Sequence, residues 1–261
     1  MKTALIYPPT GDPTAPYISV PLLTAYLRTN GVEVIPIDAN VEAYDRLLRR
    51  SPLETLAEKL ERRLARLEKK SALNHAGQLI YAALWEARGD CLAAPAAMSD
   101  AVAVLRDRTG KNFFDYTQYH AAAATVESAL RLISAAYAPL RLDFTAYQTP
   151  FSLLTLHEIE ADARPERDPF HDYFTHELCD RLSREKVALV GLSVAFSSQL
   201  QPAYSLALLL RKKLPGVYIT VGGPAITQIL GTLPGELQER ALGPFHSAIL
   251  FEGEKLSLIH I

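Results

Sequence analysis

The residues in this sequence best placed to do chemistry are small hydroxyls and glycines at the ends of apolar runs. "SVAFSSQ", Ser193 to Gln199, follows the apolar run Val187 to Val194 and carries three hydroxyls, each able to donate and to accept a hydrogen bond. "VGGP" ends a second apolar run with Gly222, Gly223 and Pro224; two residues without a Cβ let the backbone lie close against a flat or bulky group. "FEGE" sets Glu252 and Glu254 around Gly253. Such groups hold a ligand by hydrogen bonds and shape, so the chemistry they suggest is binding, not proton abstraction by side chains. Each also has a plainer reading. The glycines suit a tight strand-to-helix turn, and Ser198 with Gln201 has capping-box spacing.

Other constellations carry less. His171 and His176 are five apart, on different faces of a helix, which disfavours joint metal ligation. His75, His120 and His157 are scattered, and no Ser/His/Asp arrangement can be assembled. The aromatics of "FFDYTQYH" are expected to pack. Cys91 and Cys179 lie far apart with no C-x-x-C spacing, which points to a reducing compartment and to no metal site. The loop "YPPTGDPTAPY", Tyr7 to Tyr17, has neither G-x-G-x-x-G nor a Walker motif and no lysine, so dinucleotide and polyphosphate binding lose their main support.

These loops must be positioned by an α/β framework. Thr3–Tyr7 and Glu33–Asp38 read as strands joined by a helix with Ser19 as a candidate cap, Pro21 in the first turn and Gly31 at a left-handed C-terminal cap. Val187–Val194, Val217–Val221 and Ser247–Phe251 read as three more strands. The expected fold is a Rossmann-like, five-stranded parallel sheet in flavodoxin-like order, with a large all-helical insertion between the second and third strands. Residues 1–40 and 186–255 form the two halves of the sheet domain, and 41–185 the insertion. Leu53, Leu56, Leu60, Leu64 and Leu67 mark an amphipathic helix there. In such a sheet, ligands bind beyond the carboxyl ends of the strands, where all four loops quoted above lie.

Composition sets the class. The chain has 261 residues, 49% hydrophobic and 21% charged, with a formal net charge of -2. This is ordinary globular composition, giving no general electrostatic case for nucleic-acid or membrane-surface partners. No run approaches the roughly 20 apolar residues of a membrane span, and "MKTALIYPPTGDP" is too short an apolar run for a signal peptide. A cytoplasmic location is expected.

Taken in order, the Pro-Pro after the first strand, "VGLSVAFSSQL", "YITVGGPAIT" and "FEGE" resemble the N-terminal cobalamin-binding domain of cobalamin-dependent radical SAM enzymes. The resemblance covers Met1–Asn40 and Lys186–Glu254. It implies that a corrin ring lies over the strand ends and its nucleotide tail runs among the loops. The cobalamin-binding residues it implies are Pro8, Pro9, Tyr17, Ser193, Ser197, Ser198, Gln199, Gly222, Gly223, Pro224, Glu252 and Gly253. The D-x-H-x-x-G of many cobalamin proteins is replaced by "TGDPTAPY", so no imidazole from this loop reaches cobalt. The C-x-x-x-C-x-x-C of a radical SAM cluster is absent, so a 4Fe-4S cluster and S-adenosylmethionine would belong to a radical SAM domain outside this chain. The implied parent activity is methyl transfer, or a related radical reaction, on a peptide or other natural product, with no catalytic residue in this portion. "LSLIHI", Leu256–Ile261, resembles translated sequencing adapter, which implies a non-native tail and a cut near Lys255. Two other classes fit the pattern: a nucleotide- or nucleotide-sugar-binding half of another α/β enzyme, and a non-catalytic helical interaction module.

Overall fold

The computed structural model describes residues 2–149 and 155–253; Glu254, Lys255 and the suspected tail 256–261 lie outside them. The chain opens with strand β1 (Lys2–Tyr7), helix α1 (Ser19–Thr29), strand β2 (Glu33–Asp38) and helix α2 (Ala39–Leu47). The punctuation of α1 is partly as expected. Pro21 occupies its first turn, and Gly31 follows its C-terminus at φ +77°, a conformation glycine adopts without Cβ strain. Ser19 is not the cap. Ile18 holds that position with no side-chain hydrogen bond, and Ser19 has another partner.

The polypeptide forms two compact units, one of Met1–Ala43 with Phe151–Ile261 and one of Tyr44–Pro150. In the second unit, helices α3 (Arg50–Glu68), α4 (His75–Glu86), α5 (Asp90–Leu105) and α6 (Tyr116–Ala136) come in sequence. The leucine stripe does what its spacing dictates: Leu53, Leu56, Leu60 and Leu64 are buried along one face of α3. Asn74 and Asp115 cap α4 and α6 by accepting from Gly77 N and Gln118 N. The insertion is not wholly helical. Strands β3 (Arg141–Leu142) and β4 (Tyr147–Gln148) form a short antiparallel ladder, closed by Asp143 Oδ1, which accepts from Thr145 N and Ala146 N. Phe114 and Tyr116, expected to pack, are exposed.

The helical insertion expected through residue 185 stops earlier. Helices α7 (Leu156–Asp162), α8 (His171–Tyr173), a π-helical turn (Phe174–Leu178) and α9 (Cys179–Arg184) belong to the first unit. Their apolar positions explain this: Ile159, Phe170, Tyr173, Phe174, Leu178 and Leu182 are all buried, and Tyr173 Oη donates to Glu42 Oε2 at 2.7 Å. The chain then runs through strand β5 (Leu189–Ser193), a 3-10 turn (Ser197–Gln199), helix α10 (Leu200–Lys213) and strand β6 (Tyr218–Gly222). Helices α11 (Pro224–Thr232) and α12 (Gly235–Leu242) and strand β7 (Ser247–Ile249) complete it.

The main sheet is parallel, in the order β2-β1-β5-β6-β7, a doubly wound, Rossmann-like arrangement. Strand order reverses between β1 and β5. Right-handed crossovers therefore put α1 on one face and α10 and α11 on the other. On the first face, α1 packs over β1 and β2 through a cluster of Leu5, Tyr7, Val20, Leu27 and Val34. Among the described residues no helix is long and apolar enough to cross a membrane.

Candidate functional site

The face of the sheet carrying α1 is where side chains become small. Register partners share a face, so Thr3 and Leu5 align with Leu189 and Gly191, and Gly191 and Ser193 with Thr220 and Gly222. Two glycines, a serine and a threonine thus occupy the middle of a surface that would otherwise be leucine and valine. A cavity of about 210 Å³ lies over them. Its floor is the sheet from Thr3 to Gly222, one wall is α1 through Ser19, Val20, Leu23 and Leu27, and Phe251, Glu252 and Gly253 border it near the strand ends. The lining follows the strands inward from Ser193 toward Leu189, where Thr3, Leu27 and Leu189 close it as buried residues.

Its polar groups are hydroxyls. Ser19 Oγ and Ser193 Oγ are 2.7 Å apart. Thr220 Oγ1 accepts from Ser247 Oγ at 3.0 Å. Thr3 is 1% exposed, and its Oγ1 has no hydrogen-bond partner. Among the described lining residues Glu252 is the one ionisable group. The slot can therefore hold an apolar, flat group bearing a few hydrogen-bonding atoms; it offers no lysine or arginine to a polyphosphate.

Six of the twelve residues singled out from the sequence line this slot: Ser193, Gly222, Gly223, Pro224, Glu252 and Gly253. The glycines have structural duties as well. Gly223 sits at φ +107°, and a Cβ there would meet Val194 C at 2.9 Å. The Val194 carbonyl accepts from Ala225 N in the first turn of α11, so the turn after β6 folds tightly onto the end of β5. A Cβ on Gly222 would meet Ile249 O at 3.2 Å. The close approach at both glycines is to the chain's own backbone.

The other six form a neighbouring rim. Gln199 is fully buried: its Oε1 accepts from Ala195 N and Phe196 N, and its Nε2 donates to Pro8 O at 2.7 Å. Ser198 does not complete a capping box with Gln201. Its Oγ donates to Thr10 O at 2.8 Å, while Gln201 Nε2 donates to Ile159 O. Pro8 and Pro9 are buried and Ser197 is exposed. Tyr17 stacks on Tyr7 with centroids 5.8 Å apart and meets Phe196 edge-on. Burial pushes the Tyr7 phenol up to about 12, so this aromatic group is uncharged at neutral pH.

Sequence reasoning missed several contributors. Asn40 anchors the loop after β1: its Oδ1 accepts from Thr10 N and Gly11 N, and its Nδ2 donates to Gly11 O. This holds Thr10 at φ +76°, a costly conformation for a β-branched residue. Thr3 and Gly191 also escaped notice, and Ser19 was read only as a helix cap. Thr3 and Gly191 could have been found from the period of two, which puts them on one face with Leu5 and Ser193. Around the slot, Ile18, Leu22, Phe196 and Phe251 are exposed apolar residues at the same edge, an apolar shelf beside a narrow opening. Family models, curated proteins and solved structures yield no match to this chain.

Proposed function

We propose that this chain is the cobalamin-binding portion of a radical SAM enzyme, with the slot between α1 and the sheet taking the cofactor's nucleotide tail and the apolar shelf lying under the corrin ring. The observation that carries this reading is the slot itself: a channel at the strand ends floored by Gly191, Ser193, Thr220 and Gly222 and bordered by exposed Phe251. Its size fits an arm rather than a disc, because whole-ligand pockets are usually about 300–1,000 Å³. Ser19 and Ser193 would hydrogen-bond the tail, and Glu252 and Gly253 would border the ring. No histidine lies among the described lining residues, so cobalt would take no ligand from them.

The bound cofactor would supply methyl-transfer or radical chemistry, and this chain would orient it. A 4Fe-4S cluster and S-adenosylmethionine would be held by a partner domain with C-x-x-x-C-x-x-C, a motif this sequence lacks, and the substrate would be a peptide or other natural product. Titration of the purified chain with hydroxocobalamin, followed by visible absorption and co-elution on gel filtration, tests the reading. A saturable spectral change and co-elution are expected; absence of both overturns it.

A further inference from the structure

On the face of the sheet opposite the slot, helix α12 stands over a cavity instead of packing down. None of its eight residues is buried, although Leu237 and Ala241, four apart, give it an apolar stripe. Polar ties hold it in place. Tyr204 Oη donates to Ala241 O, and Gln238 Nε2 donates to Leu230 O at 2.9 Å and to Leu233 O at 3.0 Å. Under the stripe lies a cavity of about 620 Å³, walled by residues of α7, α10, α11 and α12. Ile159 and Leu200 are buried at its inner end, while Thr155, Leu237 and Arg240 are exposed and mark its mouth. The volume is that of a whole-ligand site. A helix propped off its neighbours forfeits the van der Waals contacts its apolar side chains would otherwise make, so an occupant that restores them is favoured.

The walls restrict what that occupant can be. Leu156, Ile159, Leu200, Ile229, Leu233 and Leu237 supply an aliphatic surface. The Tyr204 hydroxyl is taken by Ala241 O and that of Thr155 by Glu158. Among the described lining residues Arg240 carries the one charge, and it has no hydrogen bond or ion pair with any described residue, Glu236 one turn earlier included. A guanidinium beside an aliphatic chamber matches a carboxylate at the end of a hydrocarbon chain. The chain leaves water, and the two carboxylate oxygens take the paired N–H donors of the arginine.

We propose that this cavity is a second ligand site that binds a free fatty-acid-like carboxylate, its chain beneath α12 and its carboxylate held by Arg240 at the mouth. The cavity and the slot lie on opposite faces of the sheet and share no lining residue, so this site stands whether or not the slot takes cobalamin.

Isothermal titration calorimetry of the whole chain with decanoate, octanoate and 1-decanol, each below its micelle concentration or solubility limit, tests this. Decanoate should bind saturably, about tenfold more tightly than octanoate, which buries two methylenes fewer. It should also bind about tenfold more tightly than 1-decanol, which keeps the chain and lacks the charge. Arg240→Gln, a change at an exposed position, should weaken decanoate about tenfold and leave 1-decanol unchanged. Ile229→Trp, which fills the cavity from α11, should abolish binding of both, with circular dichroism confirming the fold; if that variant does not fold, Arg240→Gln still decides. Binding of neither compound by the natural chain, equal affinity for the two, decanoate affinity unchanged in Arg240→Gln, or decanoate bound as well by folded Ile229→Trp overturns the proposal.

Discussion

Gly223 shows how a residue can be chosen for two reasons at once. The sequence presents a Gly-Gly pair at a strand end, which suits a ligand pressed against backbone, and Gly223 does line the slot. Its φ of +107° and the crowding of any Cβ against Val194 show that the fold requires the glycine first. Gly223→Ala should therefore lower stability by about 2 kcal/mol or more, from strain and from displacement of the β5 end. Urea denaturation would show this as a lower midpoint at unchanged slope. A neutral substitution would mean that the turn relaxes and the glycine serves some other need. Ser19 teaches the converse. Its position invites the role of a helix cap, yet it meets Ser193, 174 positions away, a pairing that local pattern does not encode.

At the scale of elements, the strands were legible because a buried parallel sheet writes continuous apolar runs. Glu33–Asp38 coincides with β2, and the later strands fall within a residue or two of the expected bounds. The insertion's boundary was not legible, since α7 and α9 have the same helical grammar as α3 and only packing assigns them to the sheet. The short β3–β4 ladder was invisible for a similar reason: two residues per strand give no period to read. What joins the loops over β1 and β5 is the buried side chain of Gln199, read from the sequence as a ligand contact. It satisfies three backbone groups. Gln199→Ala leaves them buried without partners and should cost about 2–4 kcal/mol, with the loss read by chemical denaturation. A change below a few tenths of that figure would show that water replaces the amide and that the loops are not tied by it.

Across the whole molecule, one buried acid should set much of the pH dependence of stability. Asp168 is 1% exposed; its Oδ1 accepts from Phe170 N, and its Oδ2 has no hydrogen-bond partner. Burial raises its pKa from the ordinary value to about 7. The folded protein therefore binds this proton more tightly than the unfolded chain does. Its contribution is fully present below about pH 4 and is lost as pH rises to 7, by up to about 4 kcal/mol. Asp168→Asn should remove that slope, gaining on the natural protein by a few kcal/mol between pH 5 and pH 8; parallel curves would exclude Asp168 as the source. The sheet, its order and the edge where the loops gather were readable from the residues. The slot itself was only half readable, because it arises where α1 from one half of the domain faces the small residues of β5 and β6 from the other.

The central claim is that this slot binds the cofactor, and a plug at its outer end tests it most directly. Ser193 is 9% exposed and lines the slot, and leucine there would fill the opening beside Ser19. The dissociation constant of hydroxocobalamin should be measured by equilibrium dialysis for the natural chain and for Ser193→Leu, with circular dichroism confirming that both are folded. One equivalent bound by the natural chain, and an affinity at least about tenfold weaker in the variant, a loss of about 1.4 kcal/mol, is the result expected. Equal affinity in the two folded proteins, or no binding by the natural chain, would contradict the account.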